Sequence, residues 1–317
     1  MAYSKGGKIE ASDINSLISN VNSVLTDLGQ PNLANVSQFG RITYTEWNNV
    51  VTKLSNLANH SGTTITSVSN PASGTRAEYI AGVMTNKDVV ITNKRNASAQ
   101  GSFIYNNTSV VSAWSDKITF TQSVTFASAA AAVNYFNAGG QLALQFVHPQ
   151  SNTGIDGVFN SLATNCGTLV MSGQGDTTTR KIVGTNYRGF EKIGGGGNTP
   201  TTWVTTAGYA GLTNTSTSIF YQVGSTYTNP AVGGGTYSAN YIQVKAYTSN
   251  SGATINFETI WDEVPNGLAS SGTSTPITVN GVSITRSTVF LVFRPPSTTS
   301  ITNTWGSLVF AGSVTGA

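Results

Sequence analysis

Apolar residues recur at spacings of three and four in two stretches near the start of the chain. The first holds Ile14, Leu17, Ile18, Val21, Val24, Leu25 and Leu28, and the second Trp47, Val50, Val51, Leu54 and Leu57. Each is the stripe of an amphipathic helix. The stretches are also alike in register. Gly7-Lys8-Ile9-Glu10-Ala11-Ser12-Asp13-Ile14-Asn15 is echoed by Gly40-Arg41-Ile42-Thr43-Tyr44-Thr45-Glu46-Trp47-Asn48. Repeated modules tend to lie side by side and share a surface. Ser12 and Thr45 are the expected N-caps, since a hydroxyl accepts from the free amides of the first turn. Asp13 and Glu46 then meet the positive helix ends. Asn15 and Asn48 stand where a capping box places a side chain that reaches back. Gly29 with Pro31 ends the first helix, and Gly62 ends the second. The linker from Gln30 to Phe39 is long enough for antiparallel packing.

Helices this short are marginal alone. Their stripes are therefore expected to be covered by neighbouring subunits. That makes Ile14, Leu17, Ile18, Val21, Trp47, Val50, Val51 and Leu54 the expected assembly interface. A chain beginning near Gly62 should then fold yet fail to assemble.

From Thr63 the period shortens. Thr64 to Val68, Asp88 to Thr92 and Ser102 to Tyr105 are short β-type runs. Lys117 to Phe126 alternates with high β-propensity. Ser128 caps an alanine-rich helix from Ala129 to Phe136, Asn137-Ala138-Gly139-Gly140 ends it, and Gln141 to Val147 is the next strand. A second helix is expected from Gly157 through Ala163. Further strands are expected at Thr168–Met171, Thr217–Val223, Tyr241–Tyr247, Ala253–Ile260, Ser287–Phe293 and Ser307–Phe310, separated by glycine-rich turns such as Gly194–Gly197 and Gly233–Gly235. Short strands with regular turn signals point to a β-sandwich. The expected fold is mainly β with an N-terminal α-helical repeat. Residues 1–62 form a helical assembly anchor, 63–100 a connector with short strands, and 101–317 a β-sandwich carrying one or two short helices.

Composition sharpens this picture. Charged residues are only 9% of the 317, against about 25% in typical globular domains. Polarity comes from Ser, Thr, Asn and Gln, as in β-proteins of extracellular or particle surfaces. A net charge of +3 offers no strong field for nucleic acid or anionic membrane. Cys166 is the only cysteine, so no internal disulfide forms. It reads as a small buried hydrophobe. Met1 to Gly7 lacks the apolar core of a secretory signal.

Residues that do chemistry are sparse. His60 and His148 are the only histidines, and neither belongs to a motif with metal-ligand spacing. Glu258, Asp262 and Glu263 flank Trp261 and offer oxygen ligands for Ca²⁺ or an acid–base pair. They read more simply as a solvated strand end and loop. Asp156 and Asp176 sit in glycine-flanked loops as turn caps. Gly194 to Gly197 lacks the Lys-Ser or Lys-Thr of a P-loop. Arg180, Lys181, Arg188 and Lys192 surround Tyr187 and Phe190, a pattern that reads as a loop packed by its own aromatics. No catalytic residue, metal ligand or cofactor is expected.

The segment Tyr135-Phe136-Asn137-Ala138-Gly139-Gly140-Gln141-Leu142, after its alanine-rich helix, resembles the F-N-x-G-G segment of a family of tailed-bacteriophage virion structural proteins. Ile9–Asn15 and Ile42–Asn48 resemble the N-terminal helical region of those proteins, and Tyr241–Glu258 and Gly267–Pro276 are also similar. The resemblance implies a β-rich component of tail, neck or baseplate, present in several copies. It would be made in the host cytoplasm, be released by lysis and reside in the virion. Its partners would be copies of itself and other virion proteins, with neither nucleic acid nor membrane. Two alternatives stand beside it. One is a receptor- or carbohydrate-binding fibre module that stacks host surface glycan on those of Trp114, Trp203, Trp261 and Trp305 that are exposed, most of them being expected in the core. The other is a glycan depolymerase using Asp262 with Glu258 or Glu263, whose carboxyls would stand about 5 Å apart if retaining or roughly 6.5–9.5 Å if inverting.

Overall fold

A computed structural model describes residues 11–37, 43–68, 80–94, 96–114, 117–148, 154–173, 180–187, 189–196, 198–200, 212–224, 228–229, 235–237, 239–263, 268–269 and 284–316. Helices α1 (Ala11–Asp27), α2 (Tyr44–Ser61) and α3 (Ile80–Thr92) come first, followed by strands β1 (Ile104–Trp114) and β2 (Lys117–Thr125). Helix α4 (Ala129–Asn137), β3 (Gln141–Val147), α5 (Gly154–Cys166) and β4 (Thr168–Met171) follow. Then come β5 (Arg180–Ile182), β6 (Thr185–Tyr187), β7 (Phe190–Ile193), β8 (Thr217–Val223), β9 (Thr228–Asn229) and β10 (Gly235–Tyr237). The chain closes with β11 (Tyr241–Ser249), β12 (Thr254–Asp262), β13 (Leu268–Ala269), β14 (Ile284–Arg294) and β15 (Val309–Thr315). The fold is β-rich with a few helices. Two five-stranded antiparallel sheets dominate, ordered β1-β14-β3-β4-β7 and β15-β2-β12-β11-β8.

Strict alternation builds the second sheet. Ile118, Phe120, Gln122 and Val124 of β2 point inward, as do Ile255, Phe257, Thr259 and Trp261 of β12. They face Leu142, Leu144, Val289 and Leu291 of the first sheet in one continuous core. Gln122 crosses it, its Nε2 donating to the Val289 carbonyl at 3.0 Å and the Ser109 hydroxyl at 3.3 Å. Helix α5 buries Val158, Phe159, Leu162 and Cys166 in the same core.

Two strands expected in the connector are replaced by other structure. Asp88–Thr92 lies in α3, and Thr64–Val68 is extended without strand pairing. Val83 and Val90 are seven residues apart and both fully buried, which is helical spacing. Packing against α1 and α2 overrides the β-propensity of Val89-Val90-Ile91. The Asn86 amide then holds the extended segment, accepting from the Thr66 N–H at 3.0 Å and donating to its carbonyl at 2.8 Å. Asn15 and Asn22 grip Val36 and Leu33 in the same two-bond way. Asn15 is therefore a linker clasp, not a capping residue.

The caps also move. Ser12 and Thr45 lie inside α1 and α2. The N-cap of α2 is Thr43, whose Oγ1 accepts from the Glu46 N–H at 3.2 Å while the Glu46 carboxylate accepts from the Thr43 N–H at 2.7 Å. A cap at Thr43 puts the acid at the third helical position, where two otherwise orphaned donors are satisfied in exchange. A cap at Thr45 forgoes that. Ser128 caps α4 as expected.

Candidate functional site

The eight residues expected to face neighbouring subunits lie inside the chain. Ile14, Leu17, Ile18, Val21, Trp47, Val50 and Leu54 are each at most 3% exposed, and Val51 is partly buried against them. Helix α3 is the missing cover: it packs on both α1 and α2 and closes the stripes in a three-helix arrangement. The helices also join the sheets. Gln30 donates to the Thr302 carbonyl at 2.9 Å and accepts from its N–H at 2.9 Å. Asn137 donates to the last helical carbonyl of α1, at Asp27, at 2.7 Å.

Asn137 belongs to the segment Tyr135–Gly140, which proves architectural. The Tyr135 hydroxyl, fully buried, reaches the carbonyls of Gln141 at 2.8 Å and Arg294 at 2.9 Å, bonding to the starts of β3 and the end of β14. A Cβ on Gly140 would lie 2.5 Å from the Tyr135 ring, and Gly139 has φ +95°. These glycines are required by close approach and by backbone shape.

The aromatic and polar candidates separate by burial. Trp114, Trp261 and Trp305 are at most 3% exposed, so none offers a ring to a sugar, and Trp203 lies outside the described residues. His148 and Ser287 are buried with Trp114. The Trp114 Nε1 donates to Ser287 Oγ at 2.9 Å, and His148 Nδ1 stands 3.1 Å from the same oxygen. Ser287 has no exposed surface, so this serine–histidine contact is a core polar knot. His60 is buried in the last turn of α2. Cys166 is buried, and desolvation pushes its thiol well above the usual range.

Lys192 latches the glycine turn, donating to the carbonyls of Gly196 and Asn198 while standing 5.9 Å over the Phe220 ring. Arg188, Gly197, Asp176, Gly233 and Gly234 lie outside the described residues, as do the side chains of Arg180 and Asp156.

The three carboxylates do not converge. Glu258 and Asp262 point to the outer side of β12, four residues or about 13 Å apart. Glu263 is buried. That backbone separation of Glu258 and Asp262 exceeds both hydrolase spacings for this pair. Among the described residues no group of three or more His, Cys, Asp or Glu side chains is arranged to hold a metal. No helix there is long and apolar enough to cross a membrane.

Instead, each of the two outer acids stands beside a tyrosine. The Tyr241 hydroxyl donates to Asp262 Oδ2 at 2.9 Å, with Lys117 Nζ 3.7 Å from that oxygen. Tyr247 lies diagonally across the paired strands from Glu258, whose Oε2 accepts from Ser216 Oγ at 3.2 Å. Tyr221 packs beside Tyr241 with ring centroids 4.9 Å apart. Burial, then the Asp262 bond and charge, push the Tyr241 phenol up to about 12. Tyr221 and Tyr247 shift up for like reasons, burial first and then Asp262 or Glu258. Sequence reading misses this group because its members are scattered over four strands. Only the alternation of β11, joined to that of β12, puts Tyr241, Tyr247, Glu258 and Asp262 on one face.

The other distinctive surface is the edge at β15. It pairs with β2 over seven residues, Val309↔Thr125 to Thr315↔Thr119, with no register shift. Five of the seven are exposed, with Val309 64% exposed, and even the inward-phased Gly312 is open to solvent. Comparison of the chain with protein-family models, with curated proteins and with solved structures finds no match.

Proposed function

We propose that the chain is a non-enzymatic structural subunit of a bacteriophage particle, part of its tail, neck or baseplate and built in as several copies. In this reading α1 and α2 are a duplicated helical unit docked on a β-sandwich. Neighbouring copies join through the outer edge of β15, not through the buried helical stripes.

The observation that carries this reading is the contrast between β15 and the other sheet edges. Proteins blunt exposed edges with bulges, short strands, charges, proline or covering groups. On β1 the register shifts between Tyr105 and Asn107. On β8 the register shifts beside Phe220, and Asn198 covers the edge by donating to the Tyr221 carbonyl at 2.7 Å. Strand β7 is four residues long. Strand β15, Val-Phe-Ala-Gly-Ser-Val-Thr, has no charge, proline or bulge. Strand β1 of the other sheet lies beside β15 without pairing to it among the described residues, and a regular edge with no such guard of its own is a template for another strand. Two β15 edges meeting antiparallel about a two-fold axis would merge their sheets and cover Val309. The resemblance of Tyr135–Leu142 and of the two Ile-to-Asn segments to phage virion proteins supports the particle assignment, as do the uncharged polar surface and the sparse chemistry.

The test is the oligomeric state of the full chain, compared with an Ala311→Lys, Ser313→Lys double variant. Both side chains are exposed on β15. Wild type should associate and the variant should associate at least tenfold more weakly. A wild type that stays monomeric, or a variant that associates equally well, overturns the reading.

A further inference from the structure

The two sheets treat their outer faces differently. Ala143, Val170 and Val292, on the outer side of the first sheet, are sealed by Ala97, Ile182 and Tyr187 in a small second hydrophobic cluster. No such cluster covers the outer side of the second sheet among the described residues; along β11 every outward residue from Tyr241 to Ser249 keeps partial exposure. In a chain only 9% charged, this face gathers Lys117, Lys245, Glu258 and Asp262, together with Tyr221, Tyr241 and Tyr247.

From this we infer that the outer face of β8-β11-β12 binds a neutral polysaccharide, with the Tyr221–Tyr241–Asp262 group as its principal subsite. Pyranose rings present C–H groups on one face and hydroxyls around the rim. Recognition therefore calls for an aromatic face beside fixed hydrogen-bond partners. Tyr221 supplies the ring: it is 41% exposed. Tyrosine gives large contact at low conformational cost, and its π face attracts polarised C–H groups. Asp262 supplies acceptors. Its Oδ2 is engaged by Tyr241 and Lys117, which fixes the carboxylate while leaving Oδ1 to a ligand. Gln243 donates to Ser218 Oγ at 3.0 Å, which orients its amide oxygen as a further acceptor. Such preorganisation lowers the cost of binding.

A second tyrosine and acid, Tyr247 and Glu258, lie on the same face, diagonal to each other across the paired strands. Tyr247 lies six residues along β11 from Tyr241, about 20 Å away. That spacing suits an extended chain of several sugars. The two cations and two anions cancel, so the face favours an uncharged glycan over a sulfated or phosphorylated one. The inference goes beyond the assembly reading and is independent of it, because β8 and β15 are opposite edges of the sheet.

The test is affinity electrophoresis of the full chain through gels containing dextran, hydroxyethyl cellulose, galactomannan or soluble starch, with heparin as the anionic comparison. At least one neutral polymer should retard the wild type. Tyr221→Ala and Asp262→Asn should each weaken retardation at least tenfold. Tyr105→Ala, which removes a 60% exposed tyrosine from the other sheet, should leave retardation unchanged. Thermal melts confirm that each variant folds; should Asp262→Asn fail to fold, Tyr221→Ala, at an exposed ring, carries the test alone. Retardation by heparin only, by none of the polymers, or equally in Tyr221→Ala overturns the inference. None of these outcomes bears on β15.

Discussion

Tyr241 holds its proton to higher pH because partial burial disfavours its charged form and because ionising it would break its bond to Asp262 and set a second negative charge there. An unfolded tyrosine titrates near 10, whereas Tyr241 is pushed up to about 12. Between those values the unfolded chain binds fewer protons than the folded one, so stability falls as pH rises. Tyr135 and Cys166, both pushed upward by burial, add to the same loss. Thermal midpoints measured across the alkaline range should therefore decline, and Tyr241→Phe, which removes one ionisation, should decline less steeply. Superimposable profiles would contradict the assigned environment of Tyr241. At this scale composition was a fair guide to what is hidden. A lone cysteine reads as a small buried hydrophobe, and Cys166 is core. Tryptophan's size draws it into the interior, and Trp114, Trp261 and Trp305 are buried accordingly, while the exposed rings are tyrosines that no local pattern marks.

Helix and strand periods were legible where one face packs on the core. The burial of β2 and β11 alternates as their sequences do, and the stripes of α1 and α2 are buried as their spacing requires. Helix α3 was hidden from such reading. Its buried face includes the polar Asn86 and Lys87 beside Val83 and Val90, and Val89-Val90-Ile91 is a β-branched run, so neither period stands out and packing decides. The cap of α2 was misplaced by two residues because both Thr43 and Thr45 precede its stripe. The reciprocal pairing of Thr43 with Glu46 selects one of them. Thr43→Ala should cost about 1 kcal/mol in denaturant unfolding. Thr45→Ala, at an exposed position, should stay within about 0.5 kcal/mol. The reverse order would restore Thr45 as the cap.

For the whole molecule, the continuous core is the decisive feature. Residues expected to form a detachable anchor share that core with the sheets, and Gln30, Asn137 and Thr302 stitch the join. A chain beginning at Gly62 should thus not fold as a stable remainder. It leaves Val83 and Val90 without their α1 and α2 partners, and should melt lower and less cooperatively than the full chain. An unchanged midpoint would restore the anchor as a separate unit. Local pattern revealed which faces are apolar but not what covers them, since α3 reaches α1 across some sixty residues of sequence. Nor did it reveal that β15 runs on to Thr315 as an unguarded edge. That edge is where assembly is proposed, so sedimentation equilibrium over a wide concentration range is the most direct measurement. The account predicts reversible association of the wild-type chain, weakened at least tenfold by lysines at Ala311 and Ser313. A wild-type chain that sediments as a monomer throughout would contradict it.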